Sequence, residues 1–494
     1  MISRALVTAS LLIAVSAAPA DAAFTPGAAG AGDPFFPQAG NGGYEVRHYS
    51  LKLDYEPRNE QLAGDATITA RATQDLSSFN LDLVGLKVSS VTVDGSSAAF
   101  ARKGQELTIT PSAGLRRNRD FTVRVIYAGH ANYVLDPDKS KDGWIPTDDG
   151  AFVVNEPQGS PTWFPANDTP KDFATYDFAI TVPEGKTALA NGVLVSTIDD
   201  RVGMGGRGDD CTPTWRLRQL GLTDNGATTT WRWREDRPMV TYLTTATNGV
   251  FELHTGAIAG VPEYNAVDPN TRRFGDKEPD PELAWSRLAV QPAALEFLIN
   301  LYGPYPFDSV GAIVDWAPNV FYSLESQTKP NYWHVPSELT IVHELAHMWF
   351  GDAVVLERWP DMWLNEGFAT WSEWAWTEHT TDTSAAEQFD ALYAIPEDSS
   401  AGQDLWFPAP NDLADASELF HTPVYDRGAM TLQALREKVT DPVFFQIMRS
   451  WYAENRFSNV TTADFIALAE RVSGQPLDQF FQAWLFEEGK PSSW

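Results

Sequence analysis

The sequence predicts a multidomain α and β protein, with an all-β N-terminal domain followed by a mixed α+β domain. Three observations carry this expectation. Over residues 44–248, apolar side chains recur with period two between turn signals. From residue 249 onward, strand and helix patterns mix, and the C-terminal part reads as mostly helical. In the second half lies one strongly apolar helix, 337–351, that nevertheless carries three ionisable side chains.

A length of 494 residues calls for two or more domains, and a hydrophobic content of 43% is ample for their cores. The formal net charge of −30 disfavours nucleic acid and anionic lipid as partners. Arg4, an apolar run over 5–15 and the small residues around Ala20-Asp21-Ala22 read as a secretory signal peptide, residues 1–23. The chain is therefore expected to be secreted. That run is too short to span a bilayer, and no later stretch is long enough, so no transmembrane segment is expected. The single cysteine, Cys211, excludes an internal disulfide.

Residues 24–43, rich in Gly, Ala and Pro, read as a flexible lead-in. Next, Tyr49, Leu51, Leu53 and Tyr55 alternate with Ser50, Lys52 and Asp54, as in a strand with one buried face. Further strands are expected at 66–72, 88–93, 107–110 and 121–127, separated by turn signals such as Asp94-Gly95. Phe178, Ile180 and Val182, then Trp231 and Trp233, continue the pattern. Residues 199–229 are rich in Gly and Asp and read as a long loop; its Arg207-Gly208-Asp209 tripeptide is ascribed to chance. Beyond 249, a helix is expected over 283–302, broken or kinked at Pro292. Strands follow at 311–316 and, as a possible edge, 319–325. A second helix runs over 362–379, and others over 425–439, 442–452, 462–472 and 476–488.

The apolar helix contains His343-Glu344-Leu345-Ala346-His347. Ser337 can cap its start and Gly351 its end. Side chains four apart share a helix face, so both imidazoles reach one metal ion. Burying three ionisable groups is costly unless a metal and its bound water satisfy them. A hydrolytic zinc site needs a third protein ligand and an open position. Glu366, opening the next helix in Trp363-Leu364-Asn365-Glu366-Gly367, is placed to supply it. Glu344, rotated about 100° from His343, is directed at the water instead, as general base. Thr370 and Asp352 are candidates for orienting the ligands.

At His343–Asp352 and Trp363–Ala369 the chain resembles the aminopeptidase N-like family of zinc metallopeptidases, gluzincins related to leukotriene hydrolase. The resemblance extends to Val424-Tyr425-Asp426-Arg427-Gly428-Ala429, to Tyr302-Gly303-Pro304-Tyr305-Pro306-Phe307 and to the strand from Tyr44. It implies that the 249–494 region is a thermolysin-like α+β zinc catalytic domain holding one Zn2+. It implies that Tyr425 stabilises the oxyanion. In the family's Gly-x-Met-Glu-Asn strand, this chain has Tyr322-Ser323-Leu324-Glu325-Ser326, keeping the glutamate but not the flanking Gly and Asn. Glu156, ahead of Phe164-Pro165-Ala166-Asn167-Asp168, keeps the spacing of a second family glutamate. By resemblance, Glu325 and Glu156 bind the free ammonium of a peptide. The family's frequent C-terminal helical-repeat domain is expected to be absent.

The expectation is thus a secreted zinc metallopeptidase that removes N-terminal residues from peptides with free N-termini. Two alternatives stay open: a zinc endopeptidase on the same scaffold, and a catalytically inactive surface-binding protein.

Overall fold

Alternation from Tyr49 to Tyr55 builds the centre of an eight-stranded sheet. The structure, a computed structural model, describes residues 23–200 and 226–492. The expected signal peptide up to residue 22, Cys211, the Arg207-Gly208-Asp209 tripeptide and most of the expected 199–229 loop lie outside the described residues. The Tyr44–Glu56 strand pairs antiparallel with Gln61–Ala72 and parallel with Ala174–Pro183. Its Tyr49, Leu51, Leu53 and Tyr55 are all buried, so the period-two register fixes which face meets the core. Asp94 and Gly95 both take positive φ, 49° and 75°, and link Lys87–Val93 to Ser96–Ser97 as a tight hairpin. Smaller sheets of four and five strands complete the β-rich half.

Residues 24–43 are not a flexible lead-in. Thr25–Pro26 pairs with Leu76–Asp82. Asp33 Oδ2 accepts from Trp359 N at 3.0 Å, and buried Phe36 meets the Trp359 ring edge-on at 6.1 Å. The glycines, read as flexibility, serve close approaches instead. Gly40, at φ 68°, would place a Cβ only 2.7 Å from Thr169 Cβ. The segment thus bridges both halves of the molecule.

Past Gly249 the strands belong to another sheet, Glu252–Ile258, Val261–Val267, Val310–Val314 and Asn331–Tyr332, the last three parallel. The expected helix over 283–302 is two helices, Pro281–Leu288 and Gln291–Tyr302. Pro292 opens the second, where its missing N–H costs nothing. No strand forms over 319–325. Pro318 and the positive φ of Phe321, 74°, break the extended run, leaving one bridge between Leu324 and Asn331.

Candidate active site

The Glu338–Ala346 helix starts as the sequence predicts: Thr340 N donates to Ser337 Oγ at 3.0 Å. It ends earlier than Gly351. Tightened bonds from Met348 N to Leu345 O and from Trp349 N to Ala346 O close it, leaving His347 at the C-cap. Ile341, Val342, Leu345 and Ala346 are buried; Leu339 alone of the expected apolar set is exposed. This helix packs on the Trp363–Thr380 helix, whose tryptophans and phenylalanine are buried on nearly every side.

That packing brings Glu366 to both histidines. Glu366 Oε2 lies 3.1 Å from His343 Nε2 and 3.5 Å from His347 Nε2. The ligating atoms of all three residues fall within 4.8 Å of one another. His343 Nδ1 donates to Glu373 Oε1 at 2.7 Å, and His347 Nδ1 donates to the Phe350 carbonyl at 3.0 Å. With Nδ1 carrying the proton, each neutral ring would turn an Nε2 lone pair toward the Glu366 carboxylate. Three acceptors converging in a buried space call for a cation. Two imidazole nitrogens and one carboxylate oxygen suit a single zinc ion.

Protonation tells the same story. Burial opposes charge on His347, yet Glu325 and Glu366 outweigh it and push its pKa up to about 9. Burial also opposes charge on Glu366, but His347 and His343 draw it down to about 2. Desolvation pushes the Glu344 carboxyl up to about 8, partly offset by the two imidazoles. The cluster draws in positive charge, which a bound metal supplies in place of protons. Glu344 is buried beside the triad, its carboxylate within 4.8 Å of His347 and Glu325.

Tyr425 stands on the turn Pro423–Arg427, its ring nearly parallel to His343 at 6.1 Å between centroids. Burial, then Glu366 and Glu156, raise its pKa well above the usual value, so its hydroxyl stays a donor. The turn is pinned by Arg427, fully buried, which donates to the carbonyls of Trp484 and Trp406, each at 2.9 Å, and of Ala483 at 3.0 Å. Gly367 and Gly428 let the two backbones touch: a Cβ at Gly367 would lie 2.9 Å from Gly428 Cα. Tyr425 therefore approaches the metal-ligand set beside the His343 ring.

Glu156 and Glu325 arrive from different halves. Glu156 follows the Ala151–Val154 strand, and neighbouring Asn155 is locked by the Thr244 carbonyl and by Trp163 Nε1. Glu325 sits between two seams. On one side Tyr322 Oη reaches Asp142 Oδ1 at 2.5 Å; on the other Gln327 N donates to Leu243 O at 3.1 Å. Both glutamates are at most 5% exposed, and each keeps one buried carboxylate oxygen without a partner. Burial, then Glu325, then Glu366 raise Glu156 well above the carboxylate range. His343, Glu344, His347, Glu366, Tyr425, Glu325 and Glu156 all line one cavity of about 780 Å³.

Sequence reasoning missed Glu373, which orients His343 in place of the expected Thr370 or Asp352. The signal was present: Glu373 lies two turns beyond Glu366 on the same helix face. It also missed Tyr242, whose hydroxyl reaches the Gly351 carbonyl at 3.3 Å and accepts from Asn365 Nδ2 at 3.4 Å.

Comparison with known proteins matches this geometry. The Peptidase M1 N-terminal domain corresponds to residues 45–204 and the Peptidase family M1 domain to residues 320–484. A probable aminopeptidase 1 of Sulfurisphaera tokodaii is 23% identical over 459 residues, 90% of this chain and 53% of its own length. An M1 zinc metallopeptidase from Deinococcus radiodurans superposes with a TM-score of 0.77 at 28% identity, covering 93% of this chain and 97% of that one. A variant of an M1 zinc metallopeptidase from the same organism, bound to a Tyr-Ser-Ala substrate, gives 0.78 at 27% identity, covering 94% and 100%. The chain spans about half or less of the length of the curated relatives it matches.

Proposed function

The chain belongs to the peptidase M1 family, and on that premise we propose that it is a zinc aminopeptidase, cleaving single residues from the free N-termini of peptides. One observation carries the reading. A three-acceptor metal site and two buried carboxylates with unpartnered oxygens share a single cavity. Buried carboxylate oxygens demand donors, and a peptide's α-ammonium brings three. Fixing the ammonium between Glu325 and Glu156 sets the first peptide bond, rather than an internal one, beside Glu344 and Tyr425.

Zinc held by His343, His347 and Glu366 would polarise the scissile carbonyl and acidify a water. Glu344 takes the proton of the attacking water and passes it to the leaving amine. The Tyr425 hydroxyl donates to the oxygen that gathers charge in the tetrahedral state. Glu373 and the Phe350 carbonyl keep both imidazoles turned and in the ligating tautomer.

Aminoacyl reporters offered free and N-acetylated, with and without chelator, test the reading. Free reporters are cleaved, chelator abolishes cleavage, and acetylation blocks it. Undiminished cleavage of acetylated peptides would make the enzyme an endopeptidase. Export is part of the same proposal: N-terminal sequencing of protein from the medium should begin near Ala23 or Phe24.

A further inference from the structure

The mouth of the cavity is aromatic. Phe274 and Phe321 are 62% and 64% exposed, yet they are not isolated. Their rings meet edge to face at 6.2 Å, and both rest on Trp333, at 5.1 and 5.5 Å. His334 extends the group, 4.2 Å from Trp333 and nearly parallel to Phe274 at 6.4 Å. Trp333 is itself rooted in a small buried cluster with Val320 and Leu324. The four rings form a shelf on a fixed base. Phe321 holds its place at φ 74°, a left-handed conformation that a bulky side chain disfavours. A strained backbone that also lifts a phenyl ring into water works against folding twice, which points to a use outside the fold.

Phe321, Trp333 and His334 line the same cavity as His343, Glu344, Glu325 and Glu156. Pro336 and Thr340 line it too, leading from the shelf to the first ligand. Phe321 precedes Glu325 by four residues, a span of at most about 14 Å. A peptide whose ammonium rests on Glu325 covers that distance within about four extended residues. Glu325 and Glu156 hold the first residue at the buried end of the cavity, whereas Phe321 and Phe274 stand at its exposed rim, so a chain leading out to solvent meets the shelf with the residues beyond the scissile bond.

We propose that this shelf is a binding subsite for an aromatic or large apolar side chain on the carboxyl side of the scissile bond. The enzyme then selects peptides by their second to fourth residues as well as their first. The inference rests on the aminopeptidase reading above, and its occupant is the substrate because the shelf is continuous with the cavity that holds the scissile bond.

The test scans Phe through positions two to four of tetra-alanine, with L-alaninamide as a substrate too short to reach the shelf. At one or more positions Phe raises kcat/KM about three- to tenfold, and Phe321→Ala removes that gain while alaninamide hydrolysis is unchanged. Calorimetry on the Glu344→Gln protein reads the same ratio as a Kd. Flat rates across the peptides, with alaninamide cleaved normally, overturn the shelf and leave the peptidase reading intact. If nothing is cleaved, the peptidase reading falls and the Kd ratio decides the shelf. A Phe321→Ala protein that slows alaninamide and peptides alike overturns it. So does one that changes only the sedimentation of the protein, which would make the shelf a contact between copies.

Discussion

Two sets of carboxylates share one cavity, and they are wired differently. Glu366 faces both imidazoles, and each imidazole is braced from behind by Glu373 or by the Phe350 carbonyl. Glu325 and Glu156 are comparably buried, yet each keeps an oxygen that no group among the described residues satisfies. The first set is complete once one cation binds. The second has open acceptors that the ammonium of an entering peptide can fill. The difference in hydrogen bonding fits the two proposed roles, a resident cofactor site and a substrate anchor.

The comparison breaks most readily at the residue between the two sets. Glu344→Gln should lower kcat on an aminoacyl reporter about 10²–10⁴-fold while zinc content, read by elemental mass spectrometry, is unchanged. Loss of zinc in this variant would place Glu344 among the ligands. Glu325→Gln comes next: kcat/KM for free-amine peptides should fall about a hundredfold with zinc retained. Loss of zinc in this variant would remove the distinction between the sets.

Glu373→Gln sharpens the metal side. Zinc affinity, measured by chelator competition, should weaken about ten- to a hundredfold; unchanged affinity would mean His343 needs no brace. Gly367→Ala is the mildest. Its Cβ would sit 2.9 Å from the Gly428 backbone, costing about 1–3 kcal/mol and a few degrees of Tm. If Tyr425 depends on that contact, kcat falls with zinc still bound.

The metal triad was legible because a helix turns spacing into direction. His343 and His347 needed only a shared face, and Glu366 only the next helix packed alongside. The β-sheet was legible for the parallel reason, with period two setting the face of Tyr49, Leu51, Leu53 and Tyr55. The role of residues 24–43 was not legible. Glycine content looks alike whether it frees a chain or lets two backbones touch, and only Thr169 beside Gly40 distinguishes them. The segment over 319–325 misled for a similar reason: its residues favour a strand, but Phe321 turns the backbone away.

By itself the sequence determined what is local or periodic: the capped histidine helix, the candidate ligands His343, His347 and Glu366, the proposed base Glu344, and the alternation of the N-terminal sheet. Tertiary structure alone decided what must meet across the chain. It set Glu156 of one half against Glu325 of the other, put Glu373 behind His343, brought Tyr425 in through the Gly367–Gly428 contact, and gathered four rings at the cavity mouth. The physical reason is reach. Backbone periodicity fixes direction over a few turns or a strand, whereas the site's polar partners are set by packing between elements that no local rule connects.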